Sequence, residues 1–362
     1  MKEQLKATLK TLVEIPSVSG NEQLMVKHMY TELSKYADEV TIDKLGNVYA
    51  SKKGKTEGPK MMIAAHVDQI GFSVKNILAN GFILFDKVGT PSDRVMTGRK
   101  VMINGNIPGV IGIKSAHLES AAEKNSIKTA KESYIDIAAN SKEEVEALGI
   151  RVGDRIEFVS DFTVMQNPDY VCTKSIDNRI SCALLLELFK KLDDIDFAGE
   201  IVGVATVQEE TGMKGAFVSG NNVDPDYAIV IDTIPSGDTP DINTEQDLPI
   251  RLGDGPVLVV GDGIMIGLLF SFSSQKVIDQ IDKASKLKDV KLQEITLIGE
   301  GYATDAARLS FAGSGIPFAM LATPRRYTHS PIELMNMNDA VGTFEILCGL
   351  VEKNGEANLD FI

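Results

Sequence analysis

Histidine and cysteine are scarce in this chain: its 362 residues hold four of the first and three of the second. Cys172, Cys182 and Cys348 are scattered, show no C-x-x-C spacing and have no histidine neighbour. They read as small buried side chains in a reducing compartment, which excludes a disulfide frame and leaves no sign of a zinc-thiolate site. No stretch approaches the ~18 uninterrupted apolar residues of a membrane span, and Met1 leads into Lys2-Glu3-Gln4-Leu5-Lys6 with no apolar signal core. Neither membrane insertion nor export is expected, and a cytoplasmic setting is. Basic charge is also in deficit. A formal net charge of −14 without a local basic patch excludes nucleic acid and anionic lipid surfaces as expected partners. The glycines of Gly98-Arg99 and Gly253-Asp254-Gly255-Pro256 lack the spacing that cradles phosphates, and no G-x-S-x-G elbow is present. Nucleotide binding and serine-nucleophile chemistry drop out with them.

What remains is an ordinary globular composition, 43% hydrophobic and 24% charged, on a chain long enough for two domains. Leu5, Leu9 and Leu12 recur at helical spacing, Pro16 and Gly20 interrupt, and Leu24, Met29, Leu33 and Tyr36 resume, which predicts two opening helices. Short strands are expected at Val40-Thr41-Ile42 and Asn47-Val48-Tyr49-Ala50, and a doubly buried one at 60–65, with His66 at its end. After Gly71 come β-rich pieces separated by glycines, at 72–74, 81–85, 100–103, 109–113 and 154–158. One short helix interrupts them, opened by a capping box at Ser141-Lys142-Glu143-Glu144 and ended near Gly149. This reads as a small β domain inserted into another, 71–165 within 1–70 plus 166–362. From about Asp177, apolar runs at 201–207, 227–231, 293–297 and 316–321 alternate with helical stretches near 180–192, 275–285 and 338–353. The predicted class is α/β: a mixed, mostly parallel sheet flanked by helices and assembled from both ends of the chain.

The chemistry sits at strand ends. His66 lies in Ala64-Ala65-His66-Val67-Asp68, Glu209 and Glu210 follow the apolar run 201–207, Asp232 follows another, Asp177 precedes a helix, and His329 stands in Tyr327-Thr328-His329-Ser330-Pro331. In open α/β sheets ligands collect at the carboxyl edge of the strands. Asp68, two residues beyond His66, is placed to take a hydrogen bond from the imidazole nitrogen that faces away from a metal. Adjacent Glu209 and Glu210 repel each other unless cations or protons neutralise them. Taken alone, Asp177 is as readily a helix N-cap and Asp232 a turn residue. Together with His66, Glu210 and His329 they form a hard-to-borderline donor set suited to paired divalent ions such as zinc, cobalt or manganese. In such a site three carboxylates and one hydroxide balance two ions. His28, with no acidic partner beside it, reads as a surface residue, and His117 receives no task.

The order of clusters, His-x-Asp, a long insertion, then Asp-Asn-Arg, Glu-Glu, Asp-Thr and a late Tyr-Thr-His-Ser-Pro, resembles the M42 family of dinuclear metallo-aminopeptidases, from about Ile15 to Glu352. The loop Tyr302-Ala303-Thr304-Asp305-Ala306 belongs to the likeness as well. The resemblance implies a zinc-exopeptidase-like fold with the insertion as a PDZ-like β-barrel that mediates dimerisation. It also implies peptide substrates and homo-oligomers, from dimers up to a tetrahedral dodecamer. By motif, His66, Asp177 and Asp232 would hold one ion, Asp177, Glu210 and His329 the other, with Asp177 bridging, Glu209 the general base and Asp68 the residue that orients His66. Gln69 and Cys182 depart from the family pattern, which has an acidic residue and a smaller one at those places. Two other readings stay open: a metal-dependent deacylase or carboxypeptidase on a related fold, with Arg179 or Arg308 meeting the substrate carboxylate, and a non-catalytic assembly protein that keeps the fold. The glucanase label sometimes given to the family has little support, since sugar hydrolysis by paired carboxylates has no use for two histidines among metal ligands.

Overall fold

The apolar runs lie side by side in the computed structural model, which describes residues 1–264, 269–299 and 301–359. Strands Ala198–Thr206, Thr56–His66, Tyr227–Pro235 and Phe318–Arg326 run parallel in that spatial order at the centre of a twelve-stranded sheet. Toward the edges the pairing turns antiparallel. Val48–Lys53 joins one side, and Glu333–Asn336 and Val257–Ile264 pair with Phe318–Arg326 on the other.

Alternation of side chains explains why these segments carry no polar face. Met61, Ile63, Ala65, Ile201, Ala205, Ile229 and Ile231 enter one buried cluster, while Met62, Ala64, Val202, Val204, Ala228 and Val230 enter another on the opposite face. The first face is covered by helices Lys2–Val13, Gln23–Leu33, Ile176–Lys191, Gln275–Lys288 and Met337–Glu352. Lys214–Val223 and Asp305–Leu309 lie against the second. Gly203 allows the closest approach, since a Cβ there would stand 2.4 Å from a ring carbon of Phe189 and 2.9 Å from a methyl of Leu185.

The inserted segment closes into a separate barrel. Its strands are Gly71–Ile77, Ile83–Val88, Ile135–Asp136, Ile107–Ile111, Lys100–Ile103 and Arg155–Phe158, in that spatial order. Phe72 is its hub, edge-on to Phe85 at 5.0 Å and to Phe158 at 5.1 Å between ring centroids. Ile135–Asp136 is too short for sequence periodicity to reveal. The helix Lys142–Ala147 starts with half of the expected capping box: Ser141 Oγ accepts from the Glu144 N–H, but the Glu144 carboxylate turns back one residue further, to the N–H of Asn140. The barrel leaves the sheet five residues after His66 and returns through strand Tyr170–Thr173, four residues before Asp177. Both junctions therefore flank one edge of the central strands. They are tied by Gln69 Nε2, which donates to Glu157 Oε2 at 2.8 Å, by a buried Lys174–Glu157 ion pair, and by Arg155 Nε, which donates to the Ser19 carbonyl at 2.9 Å.

Candidate metal centre

The sheet register brings the candidate residues level. Thr206 pairs with His66, and the pairing of Val230 with Ala64 places Asp232 beside His66 two residues on. Beyond Thr206 the chain turns through Gln208 at φ 57°, and the N–H groups of Glu209 and Glu210 donate to the two oxygens of Asp68 at 2.9 and 3.1 Å. Asp68 thus pins the Glu-Glu corner to the His66 loop. Burial raises the pKa of Asp68, but His66 and the Glu209 N–H outweigh it and keep the group ionised. His66 Nδ1 lies 3.1 Å from the Asp68 carbonyl oxygen and 3.5 Å from its carboxylate, so the main chain supplies the nearer acceptor.

Asp177 does not cap its helix. It stands inside Ile176–Lys191 with non-helical angles, as does Asn178, and Ser175 at the N-cap position makes no side-chain cap bond. Asn178 Nδ2 donates to the Ile231 carbonyl at 3.0 Å, which moors the turn to the strand that carries Asp232. Glu333, a buried carboxylate that sequence reasoning passed over, accepts from the Asp177 N–H through Oε2 and from the His329 N–H through Oε1, both at 3.0 Å. Its sequence signal is its place two residues after Pro331 in the His329 motif. Arg325, likewise passed over, donates from Nε to Glu333 at 3.2 Å and from Nη2 to Asp177 Oδ2 at 2.5 Å.

Two groups of donors result. His66 Nε2 is 3.1 Å from Asp177 Oδ1 and 3.7 Å from Asp232 Oδ1. His329 Nε2 is 3.3 Å from Asp177 Oδ2 and 3.7 Å from Glu210 Oε1. Within each group the ligand atoms lie within 4.8 Å of one another, and Asp177 belongs to both. Glu209 Oε2 approaches His66 Nε2 to 4.0 Å. A cleft of about 550 Å³ opens over these residues, lined further by Thr90, Met213, Leu248, Tyr302 and Arg325. Backbone strain gathers here. Of nine non-glycine residues with positive φ among those described, Ser175, Gln208, Met213, Tyr327 and His329 flank or line the cleft.

The electrostatics are those of an acidic cluster in need of cations. Burial, reinforced by Glu210, Asp305 and Asp232, holds Glu209 well above the usual carboxylate range. Burial raises Glu210 to about 8 against the pull of His329, and raises Asp232 and Asp305 as well, the latter to about 7. Asp177 goes the other way: burial is outweighed by Arg325, His329 and His66, which keep it well below the ordinary value. Burial disfavours the charged imidazoles, yet the carboxylates around them win, raising His66 well above its usual value and His329 to about 9. Imidazole nitrogens and carboxylate oxygens at these separations, with more negative charge than Arg325 can offset, are a donor set that fits borderline divalent cations.

Other residues singled out in the sequence fall elsewhere. Arg179 is fully buried and donates to the Val67 and Ile15 carbonyls, Ser17 Oγ and Gln69 Oε1, so it braces the His66 loop, while Arg308 is exposed. Gln69 uses both ends of its amide, donating to Glu157 and accepting from Arg179, whereas a carboxylate there would face Glu157 as a like charge. Burial lifts the Cys182 thiol to about 11, and its Sγ donates to the His66 carbonyl at 3.1 Å, which makes it an inert packing group. His28 is half-buried rather than on the surface, and His117 is exposed.

Comparison with known proteins gives the same direction. The family model for M42 glutamyl aminopeptidase matches residues 46–346. The chain is 32% identical over 350 residues to the lysyl aminopeptidase of Pyrococcus furiosus, covering 95% of this chain and 96% of that one. The crystal structure of the TET aminopeptidase from a marine sediment archaeon, Thaumarchaeota archaeon SCGC AB-539-E09, superposes with a TM-score of 0.89 at 32% identity, over 97% of this chain and 96% of that one. The TET1 peptidase of Pyrococcus horikoshii, which can assemble into a tetrahedron or a large octahedral shell, superposes with a TM-score of 0.82 at 29% identity, over 96% of this chain and 99% of its own. With a family model over most of its length and relatives spanning nearly all of it, the chain belongs to the M42 family of aminopeptidases and is a peptide-bond hydrolase.

Proposed function

We propose that this protein is a dinuclear-metal aminopeptidase that removes the N-terminal residue of peptides, with Glu209 as its general base. The observation that carries the reading is the meeting of two three-donor groups at one shared carboxylate, Asp177, with a further buried glutamate beside them. His66, Asp177 and Asp232 would hold one ion and Asp177, Glu210 and His329 the other. The donor chemistry favours zinc or cobalt, with manganese next. When bound, such a pair acidifies a water and polarises the scissile carbonyl.

The chain's own residues supply the rest. Glu209, made more basic by burial, takes a proton from the attacking water and returns it to the leaving amine. Asp68 fixes the corner on which Glu209 stands, and Arg325 with Glu333 holds Asp177 and His329 in place. The barrel, 71–165 within a catalytic domain formed by 1–70 and 166–362, is the segment through which dimers form. The assembly of the tetrahedral relatives supports a homo-oligomer built on such contacts.

Metal-free protein reloaded with zinc or cobalt and offered a panel of aminoacyl anilides and N-acyl amino acids tests this reading. Hydrolysis of the anilides, abolished when their amine is acetylated, is the expected result. Cleavage confined to N-acyl amino acids would make the protein a deacylase, and no amidase activity at all would leave an assembly protein.

Metal loading should also be pH-dependent with a definite sign. Glu210, raised to about 8, and His329, raised to about 9, each carry a proton at neutral pH in the metal-free protein. A divalent ion must displace both, so affinity is expected to rise as pH climbs from about 6 to about 9, with roughly one to two protons released per ion at neutral pH. Calorimetry in two buffers of different ionisation enthalpy reads that number, and zero release would contradict the ligand assignment.

A further inference from the structure

The loop that leaves barrel strand Ile83–Val88 runs back over the cluster of candidate donors. Gly89 takes φ +73°, and a Cβ there would stand 2.8 Å from a methyl of Ile70 and 3.0 Å from Glu210 Oε2, so only a glycine lets the chain pass. The next residue, Thr90, places its Oγ1 2.7 Å from His329 Nδ1. His329 Nε2 points the opposite way, toward Asp177 and Glu210. An imidazole that offers Nε2 to a cation carries its proton on Nδ1, so the Nδ1–H donates to the threonine oxygen.

The other histidine is held differently. His66 Nδ1 meets the carbonyl of Asp68 in its own strand-end loop, and its side chain is 2% exposed. His329 has 26% of its side chain exposed and stands on a left-handed backbone at φ 55°, so packing confines its ring less and its orientation rests more on the Nδ1 partner. The inserted loop thus bonds His329 and passes close to Glu210, the two donors that join Asp177 in the second group, and leaves His66 and Asp232 to the central sheet.

We propose that Thr90 is a positioning residue for the Asp177, Glu210 and His329 position, so that the inserted barrel sets the metal affinity of that position and not of the other. This rests on the two-ion reading above and adds that the two positions are controlled by different parts of the chain. Loss of a hydrogen bond to the outer nitrogen of a metal-bound histidine lowers affinity about 10–100-fold.

The test uses the full-length protein stripped of metal and titrated with zinc alone against a competing chelator, with bound zinc counted by elemental analysis after dialysis. Thr90→Val, which keeps the shape and removes the acceptor, is expected to weaken one of the two equivalents about 10–100-fold and leave the other unchanged. Thr90→Ser should restore wild-type binding. His329→Ala identifies the affected equivalent by losing the same one. Thr90→Val with two wild-type equivalents overturns the proposal, as does equal weakening of both, or a serine variant as weak as the valine one. A wild-type protein that binds fewer than two equivalents overturns the two-ion reading itself, a result visible before any Thr90 variant is made.

Discussion

Glu209→Gln is expected to keep both equivalents of metal and to lose about 10²–10⁴-fold in kcat, the range over which a positioned proton-transfer group acts. The substitution is nearly isosteric. The Glu209 N–H that reaches Asp68 belongs to the backbone and survives, so the corner carrying Glu210 stays in place. Only the proton acceptor disappears, together with one charge that repels Glu210 and Asp232. Metal retention should therefore be normal or better while turnover collapses. Metal content and kcat measured on one preparation separate the two, and a variant with unchanged turnover would remove Glu209 from proton transfer.

Removal of metal should have the other large effect, on rate and on stability together. Chelation is expected to bring hydrolysis below detection, and two equivalents per chain should restore it. The same treatment should lower the Tm by several degrees. A ligand that binds only the folded state adds RT ln(1 + [L]/Kd), about 4 kcal/mol at a thousand times Kd. The reason lies in the cluster: Glu209, Glu210, Asp232 and Asp305 are crowded together and raised in pKa, so without cations they must hold protons or repel. Scanning calorimetry with and without chelator checks the shift. Full activity after exhaustive chelation would end the metal assignment, and an unchanged Tm would show that the ions add nothing to the fold.

Much of this was legible in the sequence because the fold writes its periodicities plainly. The doubly buried strands appear as continuous apolar runs, and three of these runs lead into donors: His66 ends Thr56–His66, Asp232 follows the run 227–231 within Tyr227–Pro235, and Glu209 and Glu210 come shortly after Ala198–Thr206. The helices Ile176–Lys191, Gln275–Lys288 and Met337–Glu352 start and stop within a few residues of the spacing-based expectation. Helix Lys214–Val223 was not legible, since Lys-Gly-Ala-Phe-Val-Ser-Gly-Asn-Asn-Val combines two glycines, two asparagines and two β-branched valines, all weak helix formers, and packing decides it. The supporting residues were hidden for another reason. Thr90 lies 239 positions from His329, and Glu333 lies 156 from the Asp177 N–H it accepts, so no local pattern announces either contact. Arg325 stands two residues before the quoted motif, where nothing local marks it out. Its value as a partner for Asp177 exists only once Phe318–Arg326 lies beside Tyr227–Pro235.

The Lys174–Glu157 contact gives the molecule an unusual kind of modularity. Glu157 belongs to the barrel, while Lys174, almost wholly buried, belongs to the return segment, and burial depresses the Lys174 pKa even with its partner beside it. Gln69 and Arg179 continue the same chain of contacts to the His66 loop. A barrel swapped in from a relative without an acid at this position would strand an ammonium group beneath the catalytic floor. Replacing this chain's insertion is thus a matched exchange, in which residues 69, 157 and 174 have to travel as a set.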